Sequence, residues 1–269
     1  MHIDLQFNGQ HVIVFGGTTG INFGLAEAFA RQGANLTVVS RSRENVSGAV
    51  AKLSVNGRRA AGACADVRDF AAVGLALSES VARFGPIDVL VSGAAGNFLC
   101  SANRMSANGF KSVIDIDLLG TFHVLRQAYD HLRKPGAAVI NITAPQSAMP
   151  IRFQAHACAA KAGVDQFTRV LALEWGAEGV RVNAISPGPI DGTEGVKRLV
   201  AQDAASLEQA TGAVPLKRLG TIDDVANLAL FLASPYASYI SGAVIPCDGG
   251  GAIESVKPAL EAAGRQSGA

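Results

Sequence analysis

Tyrosine is scarce in this chain, charged residues are few, and neither sign of charge prevails. Its 269 residues include 3 Tyr, 17% Asp, Glu, Lys and Arg, and a formal net charge of +1. With no basic excess it has no means of holding nucleic acid non-specifically, and no block of like charge marks an interaction tail. No apolar run reaches the roughly 18 uncharged residues that mark a membrane span. Met1-His2-Ile3-Asp4 lacks the charged-then-apolar layout of a secretory leader, and Ser267-Gly268-Ala269 is not the tripeptide that addresses a protein to peroxisomes. The four cysteines, Cys64, Cys100, Cys158 and Cys247, are far apart with small or apolar neighbours. They are expected to be buried, reduced thiols rather than disulfides or zinc ligands. No cluster of His, Cys and carboxylate has ligand spacing, so no metal is expected. By elimination the expected setting is cytoplasmic, away from membrane and nucleic acid.

What is present is core material: 49% of the residues are hydrophobic and 30 are Gly, a globular composition that suits a compact enzyme. Short β-branched runs at 11–15, 36–40, 88–92, 137–142, 181–186 and 243–246, with a weaker one at 59–65, alternate with helically spaced stretches. The longest of these are 24–32, 70–84, 110–133 and 156–178. Such alternation predicts parallel strands joined by right-handed crossovers, with strands buried on both faces under helices. There is no Pro/Ser-rich linker and no repeat, so residues 1–253 are expected to form one domain, followed by an Ala/Gly/Ser-rich tail at 254–269. Residues 192–213 are helical in pattern and bracketed by Gly and Pro, as a flap over a site or an ordinary surface helix would be.

The first strand runs into Gly16-Gly17-Thr18-Thr19-Gly20-Ile21-Asn22-Phe23-Gly24, and a helix begins at once. Glycines at a strand-to-helix turn let the backbone approach a pyrophosphate, while the helix N-terminus supplies free N–H groups. The second strand ends at Ser40-Arg41, and Arg41 lies 21 residues after Gly20. An acidic residue there would bind the ribose 2′-hydroxyl of NAD. A guanidinium instead complements a 2′-phosphate, so NADP(H) is the expected cofactor.

By these residues the chain resembles the short-chain dehydrogenase/reductase family over nearly its whole length. After the glycine turn come, in family order, Asp66-Val67, Ser92-Gly93-Ala94-Ala95-Gly96, Asn141-Ile142-Thr143, Ala159-Ala160-Lys161-Ala162-Gly163, Arg181-Val182-Asn183, Pro187-Gly188 and Asp248-Gly249-Gly250. The resemblance implies one α/β, doubly wound Rossmann domain with a seven-stranded parallel sheet and helices on both faces. Within the family the chain looks most similar to the peroxisomal-type 2,4-dienoyl-CoA reductases. The matches are Gly93 to Cys100, Asp115-Ile116-Asp117 with Gly120-Thr121-Phe122, and Pro187-Gly188-Pro189-Ile190 with Gly192-Thr193-Glu194-Gly195. Carried over by position, Gly16, Thr18, Thr19, Gly20 and Ile21 hold the pyrophosphate, Ser40 and Arg41 the 2′-phosphate, and Asp66 and Val67 lie near adenine. Ala94, Ala95 and Gly96 line the ribose side, and Thr143, Lys161, Pro187, Gly188 and Ile190 the nicotinamide side. Family habit implies a homotetramer.

The departures carry the chemistry. Most relatives place a tyrosine four residues before the lysine, on the same helical face, and a serine on the fifth strand. Here those positions are Ala157 and Ala144, and Asn22 replaces the third glycine of the turn. Tyr129 lies about 18 Å beyond Asp117 if the helix between them is continuous, and Tyr236 and Tyr239 fall in a late loop. Ketone reduction therefore lacks its proton donor. The resemblance leaves Lys161 to hold the nicotinamide ribose, and Asp117 to work with it and an ordered water in delivering a proton. It implies that a conjugated dienoyl-CoA thioester accepts hydride at its far end, develops charge on the thioester oxygen and is protonated at the α-carbon. Asn97 has two readings, as an amide donor to that oxygen or as a turn residue. Phe98 likewise lines the acyl pocket or belongs to the core. The competing functions are a 3-oxoacyl or other carbonyl reductase with a relocated donor, and an NADP(H)-binding protein without catalysis.

Overall fold

Valine and isoleucine dominate the short apolar runs, and in the computed structural model, which describes residues 5–199 and 203–254, these runs become strands. The strands are β1 (His11–Phe15), β2 (Asn35–Ser40), β3 (Ala60–Cys64), β4 (Val89–Ser92), β5 (Ala138–Ile142), β6 (Arg181–Pro187) and β7 (Val244–Cys247). Between them lie α1 (Gly20–Arg31), α2 (Arg43–Leu53), α3 (Phe70–Phe84), α4 (Ala107–Val113), α5 (Gly120–Ala128) and α6 (Ala155–Trp175). Helices α7 (Glu194–Leu199), α8 (Ala204–Ala213) and α9 (Ile222–Ala233) precede β7, and α10 (Gly251–Glu254) comes after it. Local chemistry marks several starts. Asp69 caps α3 by accepting from the N–H groups of Ala71 and Ala72, and Thr221 and Asp224 form a reciprocal capping box at α9.

The seven strands form one sheet in the order β3-β2-β1-β4-β5-β6-β7, and every pair is parallel. Strand order reverses between β1 and β4, which opens a crevice at the strand C-termini there. One face is covered by α1, α2 and α9, where Leu25, Phe29, Leu53 and Val225 pack on Val12 and Val14. On the other, α3, α5 and α6 bring Leu77, Leu125 and Trp175 against Ile13 and Phe15. Alternate residues of β1 thus serve opposite layers, as the twofold repeat of a strand requires.

Several expectations need correction. The central strands are buried on both faces, but β3 and β7 are partly open because each has only one neighbour. The cysteines are free but not buried: Cys64 is exposed and the other three are half-buried. The helix expected across 110–133 is not a continuous α-helix. A π-helical turn at Ile114–Leu119 separates α4 from α5, and Tyr129 begins a short 3-10 turn. Of the stretch 192–213, residues 200–202 lie outside the described residues, and the rest holds α7 and α8, with Asp203 in extended conformation at the start of α8. Of the tail at 254–269, only Glu254, the last residue of α10, is among the described residues.

Candidate active site

At the C-terminal ends of β1, β4, β5 and β6 lies a cleft of about 770 Å³. Beside it runs the turn after β1, whose end at Gly20, Ile21 and Asn22 lines the cleft. Gly16 has φ +74°, and the backbone of Ala94 stands 3.0 Å from where its Cβ would be; a Cβ on Gly17 would meet the Val14 carbonyl at 2.7 Å. No side chain could occupy either position without moving the backbone. Thr19 is the N-cap of α1 but makes no side-chain cap bond, so the first N–H groups of the helix stay available to an anion. On the opposite wall the Thr143 hydroxyl is buried without a partner among the described residues. Free helix donors, an orphan hydroxyl and side-chain-free glycines fit a dinucleotide laid across the strand ends. Asn22 donates its amide to the Gly93 carbonyl at 2.7 Å and ties the first turn to the loop after β4.

The π-helical turn decides the chemistry. A π turn adds one residue and rotates the helix beyond it, and such turns recur at functional sites. Here it carries Asp117, which is only 2% exposed. Asp117 Oδ1 accepts from the Gly96 N–H at 2.7 Å, and its Oδ2 lies 3.4 Å from Lys161 Nζ. Lys161, 6% exposed, also donates to the Ile142 carbonyl at 3.1 Å. A buried charge pair survives only when further hydrogen bonds serve its remaining atoms, and both partners have them.

Around this pair the cleft collects Gly20, Ile21, Ala95, Gly96, Asn97, Thr143, Pro187, Gly188 and Ile190 from the expected set. Ala144 and Ala157 also line it, so the two alanines face the site directly. Gly16, Thr18, Thr19, Ser40, Arg41, Asp66, Val67 and Ala94 are not part of its wall. Ser40 ends β2 and Arg41 follows it; the Arg41 side chain has no hydrogen bond or ion pair among the described residues, though its charge helps to hold the Asp66 carboxyl low. Asp66 is engaged by the Arg68 guanidinium at 2.6 Å, and that hydrogen bond first, with Arg68's charge, holds its carboxyl below the usual carboxylate range. Val67 is buried and receives His123 Nδ1 on its carbonyl at 2.8 Å.

Of the two readings of Phe98, acyl pocket or core, its packing corresponds to the second. Phe98 does not line the cleft; its ring packs edge-to-face on His156 at 4.4 Å, against Ala157 and Ala160. His156 is fully buried behind the cleft wall, and neighbouring helix residues face different ways. The three tyrosines stay away from the cleft. Tyr129 bonds Glu178, and Tyr236 and Tyr239 are exposed. Two residues that sequence reasoning misses also line it, Gln146 and Gln154. Gln154 precedes Lys161 by seven residues, two helical turns on one face, and that spacing is the available signal. Residues 193–196 of the α7 region and Ala210 and Ala213 of α8 close the outer side. Among the described residues no three His, Cys, Asp or Glu side chains gather to hold a metal ion.

The family model described as enoyl-(acyl carrier protein) reductase matches residues 16–251. This chain is a short-chain dehydrogenase/reductase. The peroxisomal 2,4-dienoyl-CoA reductase [(3E)-enoyl-CoA-producing] of Rattus norvegicus is 47% identical over 239 residues, covering 88% of this chain and 82% of the rat protein. The probable 2,4-dienoyl-CoA reductase [(2E)-enoyl-CoA-producing] of Bacillus subtilis is 38% identical, covering 89% of this chain and 95% of that one. A crystal structure of a short chain dehydrogenase from Bacillus anthracis superposes with a TM-score of 0.82 at 36% identity, covering 90% of this chain and 96% of that chain. As a member of the family the protein is an oxidoreductase whose fold binds a nicotinamide cofactor. No helix among the described residues is long and apolar enough to cross a membrane.

Proposed function

We propose that the protein reduces a 2,4-dienoyl-CoA thioester to an enoyl-CoA with NADPH. The observation that carries this reading is the pairing of two alanines, at positions 144 and 157, with the buried Asp117–Lys161 pair in one cleft. Ketone reduction must protonate an oxygen that becomes an alkoxide, and the alanines cannot do that. Reduction of a conjugated thioester needs only charge stabilisation at oxygen and a proton at carbon.

The cofactor, when bound, supplies hydride to C5 of the dienoyl chain. The C4=C5 electron pair moves to C3=C4, the C2=C3 pair moves to C1=C2, and charge settles on the thioester oxygen. A proton taken up at C2 restores the carbonyl and leaves a 3-enoyl-CoA. Asp117 and Lys161 relay that proton, while Lys161 also holds the nicotinamide ribose. Thr143, Pro187, Gly188 and Ile190 shape the nicotinamide side, and Gly20 and Ile21 present the first turn of α1 to the pyrophosphate. Within the stretch 192–213, the described residues Thr193 to Val196 and Ala210 and Ala213 act as the flap over the acyl chain.

NADP(H) is preferred over NAD(H) because Arg41 directly follows β2 and its side chain has no hydrogen bond or ion pair among the described residues, although its charge also acts on Asp66. Arg41→Ala is expected to weaken NADPH binding far more than NADH binding in a fluorescence titration; equal losses would overturn the preference. A homotetramer belongs to the same reading. Leu119 and Phe122 on one side, and Val170 and Leu173 on α6, expose an apolar stripe bridged by the Phe122–Phe167 ring contact. A reducing setting belongs to the same reading, since the four cysteines are free, while the rat relative is named peroxisomal.

The test is oxidation of NADPH with a 2,4-dienoyl-CoA and with a 3-oxoacyl-CoA, for wild type and Asp117→Ala. Turnover of the dienoyl substrate alone, severely reduced in the variant, supports the proposal. Ketone turnover would favour a relocated donor, and NADPH binding without turnover of either would favour a non-catalytic protein.

A further inference from the structure

Gln154 stands at the N-cap of α6, yet its side chain caps nothing. It is 7% exposed, and its Oε1 accepts two amide donors, Asn97 Nδ2 at 2.6 Å and Gln146 Nε2 at 2.9 Å. Two donors on one carbonyl oxygen fix the plane of the amide. The Nε2 of Gln154 then has no hydrogen-bond partner among the described residues, and it is not sealed from the cleft that Gln154 lines. The opposite orientation of the three amides would put the Asn97 NH2 where its Oδ1 is now, buried without a partner among the described residues. An orphaned N–H is rarer and costlier than an orphaned carbonyl, so the donor points into the cleft.

The position matters as much as the orientation. Ala157, where most relatives carry tyrosine, lies one turn along α6, and Lys161 one turn further, so all three face the same cleft. The 21-residue helix adds positive potential at its N-terminal end, where Gln154 sits. The preceding residue, Phe153, has φ +66°, a conformation a bulky side chain rarely takes. Its carbonyl accepts from the Cys100 N–H at 2.9 Å. The loop after β4 is thus joined to the start of α6 both by this backbone bond and by the Asn97–Gln154 bond. Backbone strain held in place by such cross-links is a mark of a site whose geometry matters.

We propose that the Gln154 side-chain amide donates to the thioester carbonyl oxygen of the bound substrate and stabilises the charge that develops there, with Asn97 and Gln146 as positioning residues. It would supply from an amide the oxygen stabilisation that the missing tyrosine and serine cannot. The inference rests on the acyl-thioester reading above and assigns Asn97 the task of holding the donor rather than of being it.

The test uses Gln154→Met, which keeps the volume without the donor, and Gln154→Glu, which keeps the shape and replaces the donor with a negative charge. For each, dienoyl-CoA turnover, NADPH affinity and the infrared carbonyl stretch of bound 3-enoyl-CoA are measured. In wild type the stretch should be shifted to lower frequency relative to free 3-enoyl-CoA. Both variants should lose that shift and fall about 100-fold or more in kcat, as removal of one oxyanion donor does. NADPH affinity should stay within about threefold, and Gln146→Ala should show a smaller loss than either variant. Turnover and carbonyl shift that persist in Gln154→Met would overturn the inference while leaving the reductase intact. Parallel loss of NADPH binding in both variants would also overturn it, because the amide would then be merely structural. If 3-enoyl-CoA does not bind wild type at all, the acyl-thioester reading itself fails.

Discussion

At the scale of single residues, the Asp117–Lys161 pair couples function to stability. Removing one member leaves an uncompensated charge inside the protein. Asp117→Ala is therefore expected to cost about 3–5 kcal/mol in urea unfolding. Adding Lys161→Met should recover part of that loss, because the double variant buries no charge; a double variant less stable than the single one would contradict the account. His11 is a second buried group, at the far end of the sheet. Its Nδ1 donates to the Gly85 carbonyl at 2.8 Å and its Nε2 meets the Ser80 hydroxyl at 2.7 Å, which in turn contacts Thr37. Burial, opposed by the Gly85 bond, lowers its pKa from the usual 6.5. Below 6.5 the unfolded chain then takes up a proton that the folded chain resists, so stability is full above that value and falls as the pH drops through and below it. Urea midpoints measured from pH 7.5 to 5.5 should show the decline, and His11→Gln should flatten it. At this scale the sequence is partly legible. Lys161, Asp117 and the missing tyrosine are visible from spacing and resemblance, whereas the hydrogen bonds that orient Gln154 join residues 97, 146 and 154 across three loops and leave no local pattern.

At the scale of elements, the clearest case is the packing of α1 on α9. A Cβ on Gly24 would stand 1.9 Å from the Ile222 Cγ2, so the glycine is the groove into which the isoleucine fits. Gly24→Val is expected to cost about 1–3 kcal/mol by overpacking. Ile222→Ala in the same chain should return part of it, and a failure of that rescue in urea unfolding would show the clash to be elsewhere. The boundaries of β1, β5 and α3 can be read from the sequence to within a residue, because apolar alternation, β-branching and the Asp69 cap are local signals. The π-helical turn at Ile114–Leu119 cannot. Its extra residue is offset by burying Asp117 against Gly96 and Lys161, both remote in sequence. The α7 and α8 helices look like one flap in the sequence because their spacing is helical on both sides of the break.

At the scale of the whole molecule, the exposed stripe on α5 and α6 is the main feature left without a partner among the described residues. Leu173 is 83% exposed, more than a large aliphatic side chain gains from facing water. Leu173→Glu and Phe122→Glu should each shift the proposed homotetramer toward smaller species in sedimentation equilibrium, without loss of the fold. A wild-type monomer would sink the homotetramer. The crevice between β1 and β4 is also a whole-molecule property, since it exists only where two halves of the sheet run in opposite orders.

The sequence by itself determined the alternation of strand and helix, the glycine turn that no side chain can enter, the absence of the usual serine and tyrosine, and membership of a family whose residues recur in order. These have short-range causes, namely side-chain periodicity, steric freedom at glycine and residue identity. The tertiary structure alone decided which of those residues meet. It packed Phe98 against Ala157 and Ala160 and left the edge strands and cysteines partly open. It turned Asp117 inward through a π turn and held the Gln154 amide in one orientation. Each of these outcomes depends on contacts between segments far apart in the chain, and packing of that kind is settled only when the whole sheet and its helices close together.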